Sequence, residues 1–389
     1  MKLIYFFLPL LTSAQYFFHL TDIHLDLKYE PGSPANCEIG DLLGTRCCHK
    51  DSIPKKPYRN ASQWGDMNCD LPFQMLNYSF SRMKEMYPNP EFIILTGDFP
   101  GHHDLSQSWD ENKEAIKNVT RTLKSYYPNT MIYFSIGNHD TYPIDQLPEP
   151  PYNTYVYSVF NDLFGTEYNI TNGLYYSALL SPAVKLISLN TLYYDNYNLV
   201  VKKELNIVDQ WMWLENEIYS FNGTIWLIGH IYGNTTESWP LYSQALDDLL
   251  IVHKNKIRYQ FWGHTHMDSF LINREESGFG WITGSTVEDQ HYSGFRVFSI
   301  TEDLTITDYD QFIFNTSSKS EYPQVIHTYN GRSEYGLEDM ELSSWIKLAK
   351  NITEDRDTFD KYYWNYYTGI RDPGLCNETC WKDYNKWFY

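Results

Sequence analysis

Beyond Leu11 no stretch of the chain approaches the ~18 consecutive apolar residues that a membrane-spanning helix requires, which excludes an internal span. Positive charge is scarce as well: 30 Lys and Arg stand against 49 Asp and Glu, for a net charge of −19. Such a surface repels a polyanion at long range and argues against a general binder of nucleic-acid polymers. It leaves room for a small anionic substrate, because bound divalent cations reverse the sign locally. Only six cysteines occur, and the N-terminal group lacks the paired Cys-x2-Cys halves of a structural zinc site. Internal repeats and low-complexity linkers are absent too.

What remains is a globular chain of 389 residues, 42% hydrophobic and 20% charged, long enough for one large core with an accessory segment or for two ordinary domains. Residues 1–14 read as a secretory signal: Lys2, the apolar run Leu3–Leu11, then Thr12-Ser13-Ala14. The end of the chain, Trp381–Tyr389, mixes charges with aromatics and is no lipid-anchor tail. Nine Asn-x-Ser/Thr sequons begin at Asn60, Asn77, Asn118, Asn169, Asn222, Asn234, Asn315, Asn351 and Asn377; chance placement gives roughly four. In an exported protein, clustered cysteines are most simply disulfides. Vicinal Cys47 and Cys48 are poor partners for each other, so Cys37–Cys47, Cys48–Cys69 and Cys376–Cys380 are expected. The expected product is a soluble, monomeric glycoprotein that is secreted or held in a lysosomal or other acidic compartment.

Short apolar runs alternate with polar clusters. Tyr16–Leu20, Phe92–Leu95, Met131–Ile136, Val184–Leu189, Ile225–Ile228 and Tyr259–Trp262 have the length and the Gly or polar ends of buried strands. Helical patterns lie between them at Pro72–Met86, Ser108–Tyr127, Val208–Phe221 and Leu241–Lys254. Strand–helix alternation predicts an α/β layered fold with ligands at the strand ends. Gly280–Thr283 and Phe295–Ile300 read as strands closing a second sheet. Leu25–Leu71 reads as a stapled loop near the site. A catalytic domain over 15–310 would then precede an accessory segment over 311–389, helical at Leu337–Lys350 and Asp355–Tyr367.

The chemistry sits where the strands run out. Asp22-Ile23-His24, Gly97-Asp98, Gly137-Asn138-His139-Asp140, Gly229-His230 and Gly263-His264-Thr265-His266 follow the first, second, third, fifth and sixth runs in order. Carboxylate, carboxamide and imidazole suit hard-to-borderline divalent metals, and the Asp-x-His and His-x-His spacings turn two side chains toward one region. A preceding Gly permits a sharp turn and close approach. Asp98, alone and central, is the natural bridge between two ions. Gly-His-x-His is expected by chance only roughly 0.02 times in such a chain. His19, His49, His103, His253, His291 and His327 read instead as ordinary core, surface or loop histidines.

This pattern resembles that of the calcineurin-like metallophosphoesterases. The resemblance implies a four-layer sandwich of two mixed sheets flanked by helices, with one metal held by Asp22, His24, Asp98 and His266 and a second by Asp98, Asn138, His230 and His264. A closer likeness is to acid sphingomyelinase and its secreted phosphodiesterase relatives. It is carried by Thr96-Gly97-Asp98-Phe99-Pro100-Gly101-His102, the early cysteines, Phe261–His266 and Cys376-Asn377-Glu378-Thr379-Cys380. The signal leads straight into the first strand, without the saposin-like domain of acid sphingomyelinase, and Ile231-Tyr232 follows His230 where many relatives have proline nearby. Purple acid phosphatases place a ligand Tyr three residues after the Gly-Asp aspartate; here Gly101 stands there.

The resemblance implies two-metal hydrolysis. The two ions, most simply Zn2+, share a water whose pKa they lower and whose hydroxide attacks phosphorus in line. His102 and His139 are the candidate proton donors, and Asp140 a carboxylate orienting a neighbouring imidazole. The expected substrate is a soluble phosphodiester or phosphoanhydride, such as a nucleotide or nucleotide-linked choline; the 34 Tyr and 12 Trp offer rings for a base-stacking face, although each single ring reads first as ordinary packing. Sphingomyelin is the alternative substrate. A catalytically silent binding glycoprotein is the alternative of another class, although such proteins usually lose ligands and none of the seven is missing here.

Overall fold

In the computed structural model, which describes residues 15–37, 47–57, 59–102, 107–286, 292–316, 320–367 and 376–385, the apolar runs are strands because neither of their faces meets water. The strands are β1 (Gln15–Leu20), β2 (Leu25–Asp26), β3 (Leu71–Pro72), β4 (Phe92–Thr96), β5 (Met131–Ser135), β6 (Tyr176–Ser181) and β7 (Val184–Ser188). They continue with β8 (Thr224–Ile228), β9 (Ile257–Trp262), β10 (Ser269–Ile272), β11 (Phe279–Ile282), β12 (Gly294–Ile300), β13 (Ile306–Asn315) and β14 (Gln324–Asn330). In β1, Phe17 points at Trp226 and Phe261 across a gap between two sheets, whereas Phe18 points the opposite way, at Tyr87 and Tyr127. Both rings are fully buried, and a strand covered on both faces reads as an unbroken apolar run.

Two six-stranded mixed sheets result, in the orders β14-β13-β12-β1-β4-β5 and β10-β11-β9-β8-β7-β6. β1, β4 and β5 are parallel, as are β7, β8, β9 and β11. Helices α1 (Phe73–Met86) and α2 (Trp109–Tyr126) connect the parallel strands of the first sheet. Helix α2 begins with a reciprocal Ser108–Glu111 cap that satisfies two otherwise orphaned N–H groups. Helix α3 (Thr154–Phe164) closes one edge of the sandwich: Phe160 and Phe164 stack on Phe134 of β5 at 5.2 and 4.2 Å. Helices α4 (Gln210–Ser220) and α5 (Pro240–His253) are the crossovers β7–β8 and β8–β9.

The C-terminal segment carries α6 (Gly331–Tyr335), α7 (Leu342–Glu354), α8 (Arg356–Tyr366) and α9 (Glu378–Asn385). Trp345 of α7 packs on Phe270, Phe279 and Trp281 of the second sheet and on Tyr309 of the first, closing the other edge. This is the expected α/β layered sandwich with a helical C-terminal segment. Cys37–Cys47, Cys48–Cys69 and Cys376–Cys380 are bonded.

Two placements differ from expectation. Phe295–Ile300 lies in the first sheet, antiparallel to β1, and only Gly280–Thr283 joins the second. The change of character expected at 310 falls inside β13, and β13 and β14 extend the first sheet to Asn330. Their alternation of Asp, Tyr, Gln and Thr with apolar residues hides them from a search for continuous runs. β6, β10 and α3 are further elements beyond those expected. Residues 1–14, His103 and His291 lie outside the described residues.

Candidate metal centre

The carboxyl ends of β1, β4, β5, β8 and β9 share one rim, so the five polar motifs converge although they are spread from Asp22 to His266. Asp22 (φ 49°), His24 (46°), Asp98 (57°), His264 (75°) and His266 (62°) all have left-handed backbone conformations. For residues with a side chain this costs about 1–3 kcal/mol each and persists only where the surroundings over-determine it. Strain concentrated on five of the seven expected ligands marks this rim as the functional end of the fold.

Two glycines make the approach possible. Gly97 has φ +89° and turns the chain into Asp98. A Cβ on Gly137 would lie 2.1 Å from Asp98 Oδ1 and 2.5 Å from the Asp98 nitrogen. Backbone cannot yield there, so Gly137→Ala is expected to displace Asp98 and lower turnover on the order of 10²-fold. Initial rates measured beside thermal unfolding check this, since a purely structural defect would appear in the melting curve alone.

Hydrogen bonds fix the imidazole tautomers. His24 Nδ1 lies 3.0 Å from the Pro100 carbonyl and His230 Nδ1 2.6 Å from the Thr96 carbonyl. A carbonyl only accepts, so both Nδ1 atoms donate and both Nε2 atoms face inward. His264 is anchored the other way round, with Nε2 on the Glu237 carboxylate and Nδ1 facing inward. The inward atoms meet one another: His24 Nε2 and His266 Nε2 are 3.0 Å apart, and Asn138 Oδ1 is 3.0 Å from His230 Nε2 and 3.1 Å from His264 Nδ1. One oxygen, Asp98 Oδ2, lies 3.5 Å from His24 Nε2 and 3.1 Å from His230 Nε2. Asp22 Oδ1 is 3.6 Å from His266 Nε2. At these distances the facing atoms attract only where positive charge, a proton or a metal cation, stands between them. The expected donors form two clusters, Asp22–His24–His266 and Asp98–His230–His264, each with ligand atoms within 4.8 Å, and His24 groups as closely with His102 and His139. The N/O donor set and the anchored outer nitrogens fit divalent metals.

The buried charges agree. Burial pushes the Asp22 carboxyl up to about 6. Burial also opposes ionisation of Asp98, yet His230 and His139 hold it well below the usual carboxylate range. His230 is lowered by burial but lifted further by Asp98 and Asp22, to about 10. The cage therefore draws positive charge, which a proton meets in part.

Both candidate proton donors line a polar cavity of about 260 Å3 with Asp98, His264, Thr265, His266 and Met267. His102 stacks on His24 with ring centroids 3.6 Å apart, and its Nδ1 is 2.6 Å from Asp70 Oδ1, leaving Nε2 free of that anchor. The other Asp70 oxygen accepts the His102 N–H at 2.6 Å. His139 donates its backbone N–H to Asp98 Oδ1 at 2.8 Å, and burial, with smaller effects from its neighbours, pushes its ring down to about 3. Asp140 orients backbone rather than an imidazole: it accepts from the N–H groups of Gly137, Asp98 and Phe99 at 2.7, 3.1 and 2.9 Å. That corrects the expected role, because the turn after β4 needs its amides held.

Among the described residues no Tyr or Trp lines the cavity, so the expected base-stacking face is not part of its wall. Asp70 and Glu237 were missed in the sequence. Glu237 has no spacing signal, and the only hint of Asp70 was its place beside Cys69 in the stapled loop. His19 is a satisfied core histidine between Thr96 Oγ1 at 3.0 Å and Thr283 Oγ1 at 2.6 Å. The loop beyond His266 is tied to the first sheet by fully buried Arg296, which pairs with Asp268 and binds Gln311 Oε1 at 2.9 Å.

The model of the calcineurin-like phosphoesterases matches residues 16–268. The chain belongs to that family. It is 28% identical over 422 residues to sphingomyelin phosphodiesterase 2 of Caenorhabditis elegans, covering 94% of this chain and 66% of that protein. It is also 28% identical over 396 residues to sphingomyelin phosphodiesterase A of Dictyostelium discoideum, covering 95% and 65%. With the cyclic GMP-AMP phosphodiesterase SMPDL3A of Rattus norvegicus it shares 28% over 399 residues, covering 94% and 86%. The chain thus spans about two thirds of the length of the two sphingomyelin phosphodiesterases.

Proposed function

We propose that the protein is a metal-dependent phosphodiester hydrolase working through two divalent cations, most simply Zn2+. One would be held by Asp22, His24, Asp98 and His266, the other by Asp98, Asn138, His230 and His264. The observation that carries this reading is the inward convergence of imidazole nitrogens on carboxylate and carboxamide oxygens. When bound, such cations supply positive charge that activates water and neutralises phosphoryl oxygens. Asp98 sets the spacing between the two clusters, and its carboxylate is itself held by the His139 N–H. His102, oriented by Asp70, delivers a proton from Nε2 to the leaving oxygen, and His139 shapes the opposite wall.

Chelation is expected to abolish diester cleavage and to lower the unfolding temperature, both restored by Zn2+. Each cation at a hundredfold excess over its Kd contributes about 2.7 kcal/mol. Metal analysis finding fewer than two ions per active chain would sink the two-cation reading, and two ions without turnover would favour a silent binding protein.

The substrate we favour is a soluble phosphodiester or phosphoanhydride, a nucleotide or nucleotide-linked choline. In support, the cavity is small and polar, and the SMPDL3A relative, of which 86% is covered, is named for a nucleotide substrate. Sphingomyelin is the second reading, favoured by the apolar loop described below and by the names of two relatives. Export as a monomeric glycoprotein to the extracellular space or an acidic compartment is part of the proposal. Three disulfides support it, and none of the nine sequon asparagines is buried. Among the described residues no helix is long and apolar enough to cross a membrane.

A further inference from the structure

Residues 196–203 form a loop of two turns beside the metal centre, and the loop keeps its polar groups while turning its apolar ones outward. Asn198 is fully buried and donates from Nδ2 to the Leu147 and Leu192 carbonyls, both at 3.0 Å. The Gln146 side chain grips the loop from the other side, donating to the Tyr197 carbonyl at 2.7 Å and accepting from the Leu199 N–H at 3.1 Å. On this scaffold Leu199 is 80% exposed, Tyr197 55% and Val200 52%. Single exposed apolar residues need no explanation. Three within the four residues 197–200, held outward by a hydrogen-bonded frame, form a surface that is costly to leave in water.

The frame leads directly to the cation ligands. The Asn196 N–H donates at 2.6 Å to the carbonyl of Glu237, whose carboxylate anchors His264. Gln146 follows Asp145, whose N–H donates at 3.1 Å to the carbonyl of Asn138. The tip therefore sits at a fixed position relative to His264 and Asn138. Residues 196–203 include Lys202 and Lys203 and no acid, between the flanking Asp195 and Glu204, in a chain of net charge −19. Both lysines are exposed; Lys203 donates to the Asp195 and Asn198 carbonyls, and Lys202 projects beside it. Apolar side chains flanked by a lysine match the acyl boundary and phosphate plane of a lipid surface. The overall negative charge disfavours a strongly anionic membrane, which selects a zwitterionic one.

We propose that the 197–202 loop is a membrane-contact surface that seats the rim of the metal centre against a zwitterionic phospholipid layer. The contact extends the reach of the hydrolase from dissolved diesters to headgroup diesters. Only that catalytic consequence rests on the phosphodiesterase reading; the docking does not.

Co-sedimentation of the full chain with phosphatidylcholine vesicles tests it. The wild-type protein should partition onto the vesicles, Leu199→Asp/Val200→Asp should partition about tenfold less, and Leu199→Trp should hold or improve binding. All three should cleave the dissolved chromogenic diester bis(p-nitrophenyl) phosphate equally, since none of these side chains faces the centre. A wild type that stays in the supernatant, or a double Asp variant that sediments as wild type does, overturns the proposal. So does a concentration-dependent dimer lost in the double variant, without vesicle binding, which would assign the tip to a second copy. Failure of every protein to cleave the chromogenic diester would instead sink the hydrolase reading while leaving the sedimentation result to decide the loop.

Discussion

Asp98→Asn is expected to lower kcat/KM by on the order of 10³-fold or more and to leave the purified protein short of both metals. Asp98 Oδ2 faces an imidazole of each cluster, His24 at 3.5 Å and His230 at 3.1 Å, while Oδ1 accepts the His139 N–H. Asn keeps the shape and can still accept from His139, so the fold should survive. The missing charge cannot be made good, because burial already works against every carboxylate in the cage. Lewis-acid activation is worth several kcal/mol, and each 1.36 kcal/mol is tenfold in rate. Elemental analysis with steady-state kinetics checks both halves. Full metal content with near-normal turnover would remove Asp98 from its bridging place.

His102→Gln should lower kcat by on the order of 10²–10⁴-fold, the range of general acid catalysis, while both metals stay bound. His102 stacks on His24 and groups with His24 and His139, but it belongs to neither Asp22–His24–His266 nor Asp98–His230–His264, and its outward nitrogen is engaged by Asp70. Asp70→Asn should cost less, about 10–100-fold, the usual effect of an orienting partner. A leaving group that needs no proton, such as p-nitrophenolate, separates the roles. Both variants should recover most of their rate on it if they act in proton delivery, and neither should if they merely support the wall. Equal losses on good and poor leaving groups would return the donor role to His139.

The motifs were legible because each is local. Asp-x-His, Gly-Asp, Gly-Asn-His-Asp and Gly-His-x-His lie within four residues, and the strands that carry them are apolar on both faces, as Phe17 and Phe18 show. β13 and β14 were not legible as part of the first sheet, because their polar alternation does not distinguish an extended edge from a loop. The glycines before the motifs were read as making room for metal or phosphate. Gly137 makes room for Asp98 instead, a packing contact between motifs 39 positions apart.

By itself, then, the sequence located the candidate donors, the apolar runs that carry them and the clustered cysteines, since each of these is written in neighbouring residues. Only the tertiary structure decided which nitrogen of each histidine turns inward, because that depends on the carbonyls of Thr96 and Pro100 and the carboxylate of Glu237. It also brought Asp70 to His102, 32 residues away, and tied the loop of the exposed Leu199 to Glu237, the anchor of His264. A hydrogen bond is specified by distance and direction in space, and residue order carries no record of either until the two sheets have closed on each other.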